Sequence, residues 1–314
     1  YKELPSAKSY IYIAKSLDRV IAYYHIPSYA VKLDDKELKL GHIQSVAVLK
    51  EFRGKGVFQK LAKFANKEID KHLNIIYTFP NDKSIHTFTK YNNFSSIQSL
   101  PVYILPTNIS NIVTSKYKPL GKLKAFWSLL DSCFRFLSKN LTVHESIEEF
   151  RMVSSEVEDF FSKFQAINRI NLIRDRDFLQ WRYLDSPKGK HRIFGLKEDG
   201  ELKSVVILKT EKLFSVNGLL VMDFSYQKPK DLQKLLSNLI TYKGKESLDD
   251  ASFIFISAIN EGVSKLKYSG FIPIPQRLSP RKLNFLTRET GKEKIEGFSQ
   301  SNSWFISLGD WDVF

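Results

Sequence analysis

The segment Val48–Phe64, VLKEFRGKGVFQKLAKF, joins an apolar, β-branched run (Ile43–Val48) to a pattern of helical period. At the joint stand Arg53, Gly54, Lys55 and Gly56. A helix N-terminus presents backbone N–H groups with no partner inside the helix, and the macrodipole makes that end positive. Glycine lets the backbone approach a ligand closely and allows positive φ. Arg53 and Lys55 add charge of the same sign, so the joint suits a phosphate or pyrophosphate. It matches neither common phosphate loop. Gly54-Lys55-Gly56 is followed by Val57-Phe58-Gln59, which breaks both GxxxxGK[ST] and GxGxxG. Taken alone, the residues leave an ordinary strand-to-helix turn open as well.

The 314 residues are enough for two domains, and 43% apolar and 13% aromatic content can fill their cores. No run of 18 apolar residues occurs, so no membrane-spanning helix is expected. A single cysteine, Cys133, excludes an internal disulfide framework and suits a reducing compartment. No signal peptide is visible, and a cytoplasmic location is expected. The net charge of +14 comes from lysines spread along the chain. That distribution fits a lysine-rich surface, with some excess free to meet small anionic ligands. No zinc-finger, RNP or homeodomain signature is present, and no nucleic-acid partner is expected. His25, His72, His86, His144 and His191 lack metal-ligand spacing, so no metal is expected.

The chain contains one pattern twice. Tyr1–Tyr24, YKELPSAKSYIYIAKSLDRVIAYY, aligns with Tyr183–Val206, YLDSPKGKHRIFGLKEDGELKSVV, pairing Pro5 with Pro187. In each copy two apolar strands flank a polar turn, Ser16–Arg19 or Glu198–Glu201. Third strands are predicted at His42–Val48 and Leu219–Phe224, and helices at Phe58–Leu73 and Asp231–Tyr242. Buried strands follow at Ile75–Phe79 and Ser252–Ala258, then short helices ending in Asn-Asn-Phe94 and Ser-Gly-Phe271. Leu120–Leu137 reads as a connecting amphipathic helix, and Phe150–Trp181 opens the second copy. The expected division is therefore a first domain at 1–118, a connector at 119–147 and a second domain at 148–314. The first copy lacks the opening of the second, which suggests that a leading segment is missing before Tyr1.

The order hairpin, strand, helix, strand, helix, strand resembles the GNAT superfamily of acyl-CoA-dependent N-acyltransferases. The quoted turn resembles its acyl-CoA motif, R/Q-x-x-G-x-G/A: Arg53 and Gly56 match, while Phe58 stands where Gly or Ala is usual. Phe79–Ser84, FPNDKS, is similar to the Asn-bearing turn after the superfamily's fifth strand. The resemblance implies an α/β (α+β) fold of two tandem GNAT-like domains, with mostly antiparallel mixed sheets flanked by helices. It further implies an acyl-CoA co-substrate held by Val46, Ala47, Val48, Arg53, Gly54, Lys55, Gly56, Val57, Phe58, Asn81 and Ser84. The second copy has Phe224-Ser225-Tyr226-Gln227 and Pro229 at the matching joint, so one acyl-CoA site per chain is expected.

Arg174–Tyr183, RDRDFLQWRY, and Ser303–Phe314, SWFISLGDWDVF, resemble N-acyltransferases of nucleotide-linked amino sugars from bacterial surface polysaccharide (lipopolysaccharide) pathways. That resemblance implies a nucleotide-linked amino sugar as acceptor and acetyl-CoA or 3-hydroxybutyryl-CoA as donor. Asp310, Trp311 and Asp312 are candidate acceptor contacts, with a polar turn packed by Trp311 as the other reading. The amine must lose a proton, and since an unperturbed imidazole has a pKa close to working pH, His42 is the candidate base. Gln44, on the same strand face, would hold a water or an acceptor hydroxyl. The superfamily's usual thiolate acid, a tyrosine, is here Thr89; Tyr91 and Ser84 are the nearby hydroxyls. A Fem-type aminoacyl-tRNA-dependent peptidoglycan transferase and a non-catalytic acyl-CoA-binding protein are the alternatives. The oligomeric state stays open.

Overall fold

The computed structural model describes residues 8–116, 129, 146–165, 169–187, 189–213, 215–242, 248, 251–279, 282–292 and 294–311. Cys133, Asp312 and, apart from Leu129, the expected connecting helix lie outside them. The fold is mixed α/β, with two mixed sheets flanked by helices.

The first sheet opens with the expected hairpin, β1 (Ser9–Ser16) and β2 (Arg19–Leu33), turned at Leu17 with φ 53°. Strand alternation sends Tyr10, Tyr12 and Ala14 inward and leaves Ile11 and Ile13 exposed. The expected third strand is longer and split in two, β3 (Lys36–Ile43) and β4 (Ser45–Val48), both antiparallel to β2. Gln44 at the break still donates its backbone N–H to His25 O, at 3.2 Å.

Helix α1 (Val57–Ile69) follows, then β5 (Ile75–Thr78), parallel to β3, and helix α2 (Ile85–Tyr91). In α1 the apolar period buries Leu61, Ala62, Ala65 and Ile69 against Tyr24, Ile26, Ile43, Ile76 and Phe88. Each fully buried Leu or Ile contributes roughly 1.5–3 kcal/mol. Asn93 ends α2 with φ 58°, and Gly270 takes φ 83° at the matching place in the second copy. Both short helices thus stop with a left-handed residue.

Two compact units emerge: 1–100 with 168–173 and 280–305, and 101–167 with 174–279 and 306–314. This differs from the contiguous division at 1–118 and 148–314. In the first sheet β6 (Ser95–Ser99) pairs not with β5 but with β15 (Asn284–Glu289), which lies between them. β9 (Ile170–Leu172) also joins this sheet, antiparallel to β2. Conversely β7 (Val102–Pro106) sits in the second sheet, ordered β14 (Ile272–Ile274), β7, β13 (Phe253–Ser257), β12 (Val216–Tyr226), β11 (Glu201–Leu213), β10 (His191–Glu198), β8 (Ser146–Phe150). Local patterning marks a segment as a strand; the partner it finds is set by long-range pairing, which leaves no local trace. Helices Ser155–Gln165 and Pro229–Asn238 flank the second sheet over a core that includes Phe161, Val206, Phe224 and Leu235.

Candidate functional site

The site grows from the Gly54–Gly56 turn. Both glycines have φ 74°, a left-handed conformation strained for any residue with a Cβ. A Cβ on Gly54 would meet nothing within 4 Å, and one on Gly56 only the Gln59 amide oxygen at 3.8 Å. The space above the turn is therefore open. Gly56 caps α1 without a side chain, and the first turn has no acidic residue, so its N–H groups and positive dipole end stay unneutralised. Arg53 Nε donates to Val48 O at 3.0 Å, tying the turn back to the end of β4. Lys55 Nζ lies 5.5 Å from the centre of the Phe52 ring. A phosphate-bearing ligand fits this turn.

Beside the turn the sheet splays. β3 and β5 stay paired as far as Ile43 opposite Thr78. There Thr78 Oγ1, itself buried, donates to Ile43 O at 3.1 Å and closes the crotch. Beyond it β4 leaves with β2, and no strand among the described residues pairs its other edge. The gap is a cleft of ≈ 720 Å³, the size of a small-molecule pocket. Gln44, Val46, Ala47, Val48, Arg53 and Phe58 line one side, and Phe79, Asn81, Lys83, Ser84 and Thr87 the other.

The second wall is held by residues at the far end of the chain. Asn81 Oδ1 accepts from the backbone N–H groups of Lys83 and Ser84, at 3.0 and 3.1 Å, and from the Ser84 hydroxyl at 3.0 Å. Asn284, on β15, donates to Pro80 O at 3.2 Å and to Asp82 Oδ1 at 3.0 Å. That hydrogen bond, followed by Lys282, holds the exposed Asp82 carboxyl below the usual carboxylate range. Nothing in residues 79–84 signals that Asn284 braces their turn.

Most of the expected donor-binding residues meet at this one place: Val46, Ala47, Val48, Arg53, Phe58, Asn81 and Ser84 line the cleft, and Gly54, Lys55, Gly56 and Val57 form the adjoining turn. Phe58 reaches the core, its ring 6.1 Å from both Tyr24 and Phe88. Of the candidate base His42 and its neighbour Gln44, only Gln44 lines the cleft, and of the candidate hydroxyls only Ser84 does. His42 is 3% exposed, stacked on Tyr77 at 4.4 Å and edge-on to Phe79 at 5.9 Å. Thr89 is exposed and donates back to Ile85 O, and Tyr91 sits edge-on to His86. Neither lines the cleft; Thr87, which sequence reasoning missed, does. Its signal was one turn of helix: Thr87 lies on the same side of α2 as Ser84.

The second unit differs at the corresponding joint. Helix Pro229–Asn238 is capped by its own Asp231, whose carboxylate accepts from Lys228 N at 2.9 Å where α1 leaves room for an anion. Tyr226, at the end of β12, donates to Asn260 Oδ1 at 2.7 Å and accepts from Gly262 N at 3.2 Å. Gly262 is required there, because a Cβ would run into the Tyr226 hydroxyl. The gap corresponding to the cleft is thus bridged by a side chain.

The expected acceptor contacts at Asp310 and Trp311 need correction, since both are buried. Arg174, itself inaccessible, donates to Asp223 Oδ2 at 2.6 Å and to both Asp310 oxygens at 2.9 Å. Tyr183 adds a hydrogen bond to Asp223 Oδ2 at 2.8 Å, and Trp311 O accepts from Arg182 at 2.8 Å. Burial pushes the Asp310 carboxyl up, with Arg174 opposing; burial likewise opposes charge on Arg174, but the two aspartates raise its pKa and keep it charged. These residues hold a closing turn together. Among the described residues no group of three or more His, Cys, Asp or Glu could hold a metal, and no helix is long and apolar enough to cross a membrane.

A family model described as an acetyltransferase (GNAT) domain matches residues 2–92, the part of the chain that builds the turn and cleft. Comparison with curated proteins gives no match. Among solved structures the chain is similar to a GCN5-related N-acetyltransferase from Anabaena variabilis (TM-score 0.60, 11% identity, 89% of this chain and 62% of that one). It is also similar to a conserved protein from Enterococcus faecalis (0.61, 12%, 90% and 62%) and to a GCN5-related N-acetyltransferase from Kribbella flavida (0.55, 12%, 87% and 57%). At such identities the likeness is one of fold, and this chain spans 57–62% of the length of those structures. The fold is GNAT-like, and the family match lies in residues 2–92.

Proposed function

We propose that the chain is an N-acyltransferase that takes an acyl group from acyl-CoA in the cleft of the first unit and gives it to an amine. The observation that carries this reading is the open Gly54–Gly56 turn, at a helix end with no side-chain cap, beside a cleft between splayed strands. The turn would take the pyrophosphate through backbone N–H groups, with Arg53 and Lys55 adjacent. The edge of β4 that no described strand pairs would offer N–H groups toward a thioester carbonyl, where negative charge develops during attack. Holding amine and thioester together supplies much of the rate. Gln44 would orient the amine or a water, and His42, packed behind Phe79, would receive the amine's proton through water. Ser84 and Thr87 are the hydroxyls closest to hand for the departing thiolate.

For the acceptor we propose the amine of a nucleotide-linked amino sugar, acylated with acetyl or a short hydroxyacyl group such as 3-hydroxybutyryl, in cytoplasmic synthesis of a bacterial surface polysaccharide. Support comes from the resemblance carried by RDRDFLQWRY and SWFISLGDWDVF and from the excess of cationic side chains. Because Arg174, Tyr183, Asp310 and Trp311 are packing residues, the acceptor contacts are not assigned to them. Competition kinetics test the reading: a nucleoside diphosphate is expected to inhibit competitively against the acceptor and not against acetyl-CoA. No inhibition at millimolar concentration would remove the nucleotide from the acceptor.

A further inference from the structure

Helix α1 carries more than the turn at its start. At 3.6 residues per turn Lys60, Lys63, Phe64 and Lys67 fall on one side, opposite the buried Leu61, Ala62, Ala65 and Ile69, and Lys71 follows in the turn after the helix. All five are exposed. Lys71 pairs with Glu68 at 2.7 Å, whereas the side chains of Lys60, Lys63 and Lys67 make no ion pair or hydrogen bond among the described residues. A lysine row on a helix is ordinarily a solvated face. Two observations set this one apart. Phe64 stands in its middle, 57% exposed, its ring meeting the edge of Tyr12 at 6.0 Å. And the row begins one turn from Gly56, at the mouth of the cleft.

We propose that this face docks an acidic carrier domain whose phosphopantetheine arm delivers the acyl group into the same cleft. The inference rests on the N-acyltransferase reading and extends it to the form of the donor. A carrier's arm has the phosphate, pantetheine and thioester chemistry of CoA, so its phosphate would occupy the N-terminus of α1. The protein attached to that phosphate must then lie against the adjoining helix surface, where the row runs. An acidic surface complements the lysines, and Phe64 supplies an apolar centre within a charged rim. The transfer itself is unchanged: the C–N bond forms, the C–S bond breaks, and the amine's proton ends on the thiol of the arm.

The test compares two donors, acetyl-CoA and an acidic acyl carrier protein acetylated on its phosphopantetheine thiol. Reversing the row with Lys60→Glu, Lys63→Glu and Lys67→Glu is expected to lower kcat/KM for the carrier about tenfold or more and to flatten its salt dependence. Turnover of acetyl-CoA should stay within about twofold, and Phe64→Ser should reproduce part of the selective loss. Circular dichroism of each variant checks that α1 still forms. Equal loss with both donors would assign the row to CoA's own phosphates, and an unchanged carrier rate would leave it a solvated face; either overturns the proposal. So would charge-dependent binding to phosphatidylglycerol vesicles with no preference for the carrier. If neither donor yields product, the N-acyltransferase reading fails on its own. Docking is then read by fluorescence anisotropy of the labelled carrier: binding lost in the triple variant supports the proposal, and no binding to wild type overturns it.

Discussion

At Gly56 a side chain brings two costs, a strained positive φ and the filling of space that lies open above the turn. Gly56→Asp adds a carboxylate at the positive end of α1, in effect a built-in competitor for the phosphate. Calorimetry is expected to show one CoA per wild-type chain and none for the variant; two CoA per chain would contradict the bridging of the second gap by Tyr226. His42 is the other residue with a sharp expectation. As the base, His42→Ala lowers kcat by roughly 10²–10⁴-fold, with a loss that shrinks at high pH and little change in CoA affinity. A wild-type rate with chemistry limiting would reassign His42 to packing against Tyr77 and Phe79. The glycine turn beside the cleft was legible in sequence, because two glycines between a strand and a helix mark a backbone with positive φ at an open helix end. The packing of the closing turn was not. Asp310 and Trp311 look like surface polar and aromatic residues until the buried Arg174 is seen to hold Asp310 from another part of the chain.

At the scale of elements, the hairpin β1–β2, helix α1 and strand β5 follow from local period and turn residues, and their limits lie close to those expected. The break at Gln44 and the placement of β7, β9 and β15 do not, because they depend on which distant strand offers a free edge. A similar long-range tie fastens β12 to the turn Leu308–Asp310 through Arg174, Asp223 and Asp310, all buried. Arg174→Met removes the cation that the two buried carboxylates share and is expected to cost about 3–5 kcal/mol in urea unfolding. Neutralising both partners in the same background, with Asp223→Asn and Asp310→Asn, should recover much of that loss. A single variant as stable as wild type would show that the cluster contributes nothing to stability.

For the molecule as a whole, acid should unfold it partly through His191. Burial, helped by Lys209 and Arg182, pushes this imidazole down to about 4, against the hydrogen bond between its Nδ1 and Tyr183 O. The folded state therefore binds fewer protons than the unfolded chain between these pKa values. Its contribution, roughly 3 kcal/mol, is present above pH 6.5 and is lost as pH falls toward 4. Urea titrations at pH 7 and pH 5 should show a smaller difference for His191→Gln than for wild type; equal differences would place the titration elsewhere. The exchanged strands have a consequence for how the chain is made. β15 fills the place between β5 and β6, so during synthesis the sheet that bears the cleft waits, with β6 unpaired, until residues 284–289 leave the ribosome. A fragment ending near residue 118 would lack that strand and Asn284, leaving bare edges prone to self-association. An autonomous version of the cleft-bearing unit would need β15 spliced in between β5 and β6 in space, for instance by a rewired loop; cutting the gene at the midpoint of the repeat cannot yield one.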